Sequence, residues 1–265
     1  MSWTLIARKE IGDSVRSRQL FVFAGLFVLI FGLAAYATVR AARTGGSTDE
    51  FVGLLSLVSM VLVPVAGLSL AHEAIVKRRT NGQWRLMLGL PHSRRDLVVG
   101  TYLGRFAILA VSILVSVVLA SLFVLVSGFT LPWGSLAGFV ALTLVLALVY
   151  VAIGIGISAF VRSTTLTAFL AFGSFLLFVF AWWVVPDAVV YVVNGLEMPA
   201  SSPWWTPYLE ALSPSRAHER VTNAVAAGET GSESEIPLWF AALVLAGWAV
   251  IAPGVGYLRF NETDL

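Results

Sequence analysis

The 265-residue chain is 58% hydrophobic and only 12% charged, with a formal net charge of +2 and a mean hydropathy of +0.87. Soluble domains carry about 25% charged residues, so this composition excludes a soluble globule and calls for lipid-facing surface. The small net charge gives no footing for a nucleic-acid partner, and the absence of cysteine excludes disulfides, thiolate nucleophiles and cysteine metal sites together.

Residues 2–18, SWTLIARKEIGDSVRSR, are too polar to span a bilayer. Trp3, Ile6, Ala7, Ile11 and Val15 recur at helical spacing, with Arg8, Lys9, Asp13 and Arg16 elsewhere. This pattern predicts an amphipathic helix lying at the cytoplasmic membrane interface. The apolar run Gln19–Val39 is longer than a signal-peptide h-region, and no small-residue cleavage site follows it, so it reads as an uncleaved first span. The second span is expected at Phe51–Ala71, with Pro64 inside it as a bending point.

A third span is expected at Phe106–Ser127, a tight turn at 128–134, and a fourth span at Ser135–Ile157. The fourth ends in GIGISAF, whose Gly154, Gly156, Ser158 and Ala159 would allow close helix approach. A short turn with Arg162 leads to a fifth span at Leu166–Val185, and a sixth follows at Leu238–Tyr257. The fold class is therefore an all-α polytopic membrane protein with six transmembrane helices. The whole chain 1–265 reads as one transmembrane domain.

Placing both termini in the cytoplasm puts thirteen of the seventeen Lys and Arg residues inside and leaves Arg40, Arg43, Arg216 and Arg220 outside. Basic residues near span ends favour the cytoplasmic side, so that orientation is expected. The largest outer segment is 186–237. Its Trp204, Trp205 and Tyr208 are of the kind that settles at headgroup depth, forming a candidate outer-loop interface. Ser213 and Pro214 open a short amphipathic helix closed by Gly228. His218 lies on it without a second histidine on that side, and reads as a solvated helix residue, not a metal ligand.

Catalytic patterns are missing. There is no G-x-x-x-x-G-K-[ST] and no H-E-x-x-H, and Ser93 beside His92 has no orienting acid. The span interiors carry no carboxylate, lysine or arginine, which argues against a proton- or sodium-coupled carrier. Energy for transport would have to come from a partner. A transport-free polytopic scaffold and a membrane-embedded enzyme remain as other classes, the latter lacking paired polar groups at membrane depth.

The stretch His72–Arg105 concentrates seven basic residues between two apolar runs. Glu73 and Lys77 are spaced for a helix-surface pair. Asn81-Gly82 is a turn signal, and 83–90 predicts a short helix in which Trp84, Leu86, Leu88 and Leu90 dominate over polar residues such as Arg85. Pro91 stops that helix, and Ser93-Arg94-Arg95-Asp96 is a capping-box pattern that restarts a helix through Gly100 into span three.

The residues Glu73, Gly82, Trp84, Leu86, Leu88, Leu90, Pro91, Ser93, Arg94, Leu97, Gly100 and Gly104 together resemble the first cytoplasmic loop of ABC-2 type transporter permeases, in particular the NosY-like branch. The start RKEIGDSVRSR and the span count resemble the same permeases. Ala74 after Glu73, and Gln83-Trp84-Arg85, depart from the more acidic family pattern. The resemblance implies a permease dimer in the cell membrane, joined to separate ATP-binding subunits that would hold ATP and Mg; this chain itself would bind no cofactor. It also implies that the 72–105 loop, through the 83–90 helix and its neighbours Glu73, Pro91, Ser93, Arg94, Asp96 and Gly100, seats on the ATPase.

Overall fold

The computed structural model describes residues 2–48, 50–80, 93–199, 201–227 and 236–262. Two helices open the chain: α1 (Ser2–Arg16) and α2 (Gln19–Arg43). Arg18 between them has φ 61°, a left-handed residue that turns the chain sharply out of α1. There follow α3 (Glu50–Ala71), the short α4 (Val76–Thr80), α5 (Arg94–Val126) and α6 (Trp133–Phe160). Then come α7 (Thr164–Phe175), a π-helical turn (Leu176–Ala181), α8 (Val184–Val193), α9 (Thr206–Glu210), α10 (Pro214–Ala227) and α11 (Leu238–Asn261).

Among the described residues, six helices are long and apolar enough to cross a membrane: Gln19–Arg43, Glu50–Arg79, Arg94–Val126, Trp133–Phe160, Thr164–Ala181 and Leu238–Asn261. They coincide with the six expected spans but run further at several ends. The 33-residue α5 is the clearest case. At 1.5 Å per residue it is about 50 Å long, against a hydrocarbon core of about 30 Å, so its first turns stand clear of the apolar stretch. Exposed Phe169, Phe172, Leu122 and Ile251 line the outside of the bundle, as lipid-facing surface requires.

Helix α6 lies at the centre, packed against α3, α11 and α5, while α2 packs along α5. Tyr150 at its middle is wholly buried. Phe27, Phe31 and Phe139 form an aromatic chain between α2 and α6, with successive ring centroids 5.5 and 6.2 Å apart. The GIGIS segment does bring helices into contact. A Cβ at Gly154 would lie 2.6 Å from the Ala71 Cβ, and Gly156 abuts the backbone of Ala252 in α11. Between α3 and α4 the helix is interrupted by a turn at 72–75. The amides of Ile75 and Val76 both donate to the Ser158 hydroxyl, at 3.0 and 3.1 Å. A side chain from α6 thus caps the restart of the chain beyond the second span.

The segment after α8 is pinned to the bundle by indoles. Trp182 donates to the Glu210 carbonyl at 3.0 Å and Trp248 to the Leu212 carbonyl at 2.9 Å, satisfying carbonyls at and beyond the end of α9. The Ser213 hydroxyl donates to the carbonyl of Phe178 in the π turn at 3.1 Å. Helix α10 starts at Pro214 as its sequence predicts, but it does not sit in solvent. Ala217 and Ala224 are fully buried and His218 is only 8% exposed. This corrects the reading of His218 as a solvated residue: small alanines let α10 lie tightly on α6 and α11, and the histidine follows them inward.

Two measurements check this packing. Ser158→Ala removes the acceptor that two buried amides share and is expected to destabilise the chain by about 2 kcal/mol, seen as a lowered Tm, whereas Ser174→Ala, which loses only a bond to its own helix, leaves Tm unchanged. Burial pushes the His218 pKa down from 6.5 to about 4. The unfolded chain therefore takes up a proton below pH 6.5 that the folded chain refuses until about pH 4. Stability falls across that window, by about 3 kcal/mol at most. His218→Leu should remove this part of the acid sensitivity, measured as the difference in Tm between pH 7.5 and pH 5.

Candidate functional site

The flanks of the basic stretch meet at one end of the bundle. Beyond the turn at 72–75, Glu73 pairs with Lys77 at 3.1 Å and approaches His72 at 3.9 Å. It is a surface pair at the expected spacing. On the far flank the capping box is present. The Asp96 amide donates to the Ser93 hydroxyl at 3.0 Å, and the Ser93 amide and hydroxyl donate to the Asp96 carboxylate at 3.3 and 2.6 Å. The helix then runs through Gly100 without interruption. The expected helix at 83–90, with Trp84, Arg85, Leu86, Leu88 and Leu90, and its stop at Pro91, lie outside the described residues.

Arg94 does more than flank the loop. Its guanidinium donates to the carbonyls of Phe260 and Asn261 at the end of α11, both at 2.9 Å. Both lie in the last turn of the helix, and a cation at a helix C-terminus meets the favourable end of the dipole. The buried Phe260 ring also lies 5.0 Å from the Arg79 guanidinium carbon and 5.6 Å from that of Arg94. The last turn of α11 is therefore held by one arginine from each flank of the loop.

The other chain end is held in the same way. Helix α1 packs across the start of α5 and buries Ile6, Glu10 and Ser14, one residue per turn. Two glycines of α5 make the approach possible. A Cβ at Gly100 would lie 2.7 Å from the Ile6 Cβ, and one at Gly104 would lie 2.6 Å from the Glu10 Cβ. Glu10 is only 1% exposed and forms ion pairs with both Arg78 and Arg105, the latter at 3.1 Å. Arg105 also donates to the Gln19 side chain at 2.9 Å, tying in the start of α2. One carboxylate thus joins α1, the α4 flank and the α5 flank.

Sequence reasoning placed Gly100 and Arg94 at this site but missed Glu10. Its signal was faint: an acid beside Arg8 and Lys9, facing a pair of glycines four residues apart in a distant segment. Of the apolar residues expected to share a face of α1, Ile6 is buried against α5, while Trp3, Ile11 and Val15 are exposed to the surroundings of the bundle. The outer residues lie at the opposite end of the bundle. Tyr208 stacks edge-on between Trp204 and Phe240, at 6.3 and 5.1 Å, and Trp204 is exposed, so these aromatics do not join the loop site. Among the described residues no group of three or more His, Cys, Asp or Glu is placed to hold a metal ion.

Removing one member of a buried ion network leaves the others uncompensated, typically at a cost of about 3–5 kcal/mol. Glu10→Ala should therefore lower Tm and speed tryptic cleavage at Arg8 and Lys9 as α1 leaves α5. Unchanged stability and cleavage would show that the Glu10 contacts do not hold α1.

The family model described as "ABC-2 family transporter protein" matches residues 4–265. A curated relative called "Probable ABC transporter permease protein NosY", from Pseudomonas aeruginosa, is 29% identical over 276 residues, covering 99% of this chain and 98% of the relative. A second of the same name, from Stutzerimonas stutzeri, is 27% identical over 271 residues, covering 97% of each. Six apolar helices, an end-to-end match to the family model and two full-length permease relatives agree: this chain belongs to the ABC-2 family of transporter permeases.

Proposed function

We propose that the chain works as one half of a permease homodimer that exports its substrate, driven by separate ATP-binding subunits docked on the 72–105 loop. Both termini and this loop then face the cytoplasm, segment 186–237 faces the other side, and α1 lies along the inner membrane interface. ATP and Mg bind in the partner, since the chain has no P-loop of its own. The residues expected to touch the ATPase are Trp84, Arg85, Leu86, Leu88 and Leu90, with Glu73, Pro91, Ser93, Arg94, Asp96 and Gly100 around them. Trp204, Trp205 and Tyr208 would meet the outer headgroups.

The observation that carries this reading is the collar around the loop. Arg78, Arg79, Arg94 and Arg105 bind the two loop flanks to α1 and α11. A push on the intervening segment would reach α3 and α5 through rigid attachments and would not be lost in a floppy connection. Its charge supports the orientation, because basic span-flanking loops stay in the cytoplasm. Coupling of this kind needs two arrangements of the bundle whose balance the partner shifts.

Purification from native membranes tests the reading. An ATP-binding subunit should co-purify with the permease, and Leu86→Asp, which puts a charge in the apolar docking face, should cut both its recovery and the permease-stimulated ATPase rate at least tenfold. If no ATP-binding subunit co-purifies, or Leu86→Asp changes neither quantity, the docking assignment is wrong.

A further inference from the structure

At the end opposite the collar, a cavity of about 780 Å³ opens between the first half of α3, the first half of α6 and the face of α10. Pockets that accept drug-sized molecules run from about 300 to 1,000 Å³, so this space is large enough for an alkyl chain or a small ring system with its head. Its walls are of two kinds. Leu57, Phe139 and Leu142 supply apolar surface from the spans, while His218, Glu219 and Asn223 line the side formed by α10.

His218 gives the cavity its direction. The residue is 8% exposed, yet its ring Nε2 has no hydrogen-bond partner. A buried polar atom without a protein partner is costly, and such an atom at a cavity wall is a place where a water or a ligand head can donate. The ring is uncharged at neutral pH because burial disfavours the imidazolium. Glu219 is the one charged residue among the described lining, and Arg216 pairs with it from outside at 3.0 Å. An anionic head entering here would meet a carboxylate and no lining cation. A hydroxyl or ammonium head would find acceptors in the imidazole, the carboxylate and the Asn223 amide oxygen.

We propose that this cavity is a binding site for an amphiphile with an apolar body and an uncharged or cationic head bearing hydrogen-bond donors, held by His218 and Glu219. Its role as the cargo site rests on the permease reading above; the binding itself does not. A test on the permease alone, without an ATPase, therefore separates the two. Failure to bind would leave ATP-driven transport standing, and failure of an ATPase to co-purify would leave the binding site standing.

The full-length chain in lipid nanodiscs is incubated with three probes of equal chain length, a dodecylamine, a dodecanol and a dodecyl sulfonate, each with a diazirine at the chain end. Cross-linked peptides are mapped by mass spectrometry after illumination. The amine and alcohol are expected to label peptides containing 52–60 and 134–142 at least tenfold more than the sulfonate. His218→Leu should reduce that labelling about tenfold. Gly53→Leu provides a second, independent variant: Gly53 lines the cavity and a Cβ there meets nothing within 4 Å, so a leucine is expected to take up cavity volume and block labelling too. Equal labelling by all three probes, insensitive to both variants, would overturn the proposal in favour of an unselective lipid groove. Absence of labelling, with a disulfide between two copies carrying Leu57→Cys, would overturn it in favour of a permease–permease interface.

Discussion

A single buried carboxylate organises the end of the molecule where the loop emerges. Glu10 meets two arginines, Arg78 and Arg105, that lie on opposite flanks of the 72–105 segment. Attraction in such a place is offset by the loss of hydration of three charges, so the network adds little net stability over an apolar core. What it supplies is geometry. With the contact intact, α1, α4 and α5 have one relative arrangement, and Gly100 and Gly104 let them come close enough to keep it. The matching contact of Arg94 with the end of α11 closes the ring from the other chain end.

That ring gives the basic residues of the loop a second meaning. Their concentration fixes the expected orientation, yet four of them are also structural attachments. A lysine could keep the charge at these positions but not the planar guanidinium that Arg94 places 5.6 Å from the Phe260 ring while one of its nitrogens donates to two adjacent carbonyls. Such fixed points tie neighbouring helices to one another at this end of the bundle. The close glycine contacts of α6 with α3 and α11 extend the same logic into the membrane.

How much of this was legible in the sequence depends on whether the signal is local. The six spans follow from composition over windows of about twenty residues. The capping box follows from four adjacent residues, and the α10 start from a Ser-Pro pair. The Glu73–Lys77 pair is equally local. Glu10 is a different case, because its partners are distant in sequence and nothing beside it announces burial. His218 misled for a related reason. Its neighbours Arg216, Glu219 and Arg220 read as a solvated face, while the apolar line through Ala217 and Val221 that draws α10 onto the bundle carries the adjacent histidine inward with it. Residues whose role is to be contacted from afar are the ones sequence patterns leave dark.

The account stands on the claim that α1 and the two loop flanks move as one body. Pulsed electron–electron distances between spin labels at the exposed positions 8 on α1 and 95 on α5 test it directly, in the assembled transporter with and without trapped nucleotide. A single narrow distance, unchanged by nucleotide while labels across the bundle shift, is the predicted result. A distance between positions 8 and 95 that splits or moves when nucleotide binds would contradict it.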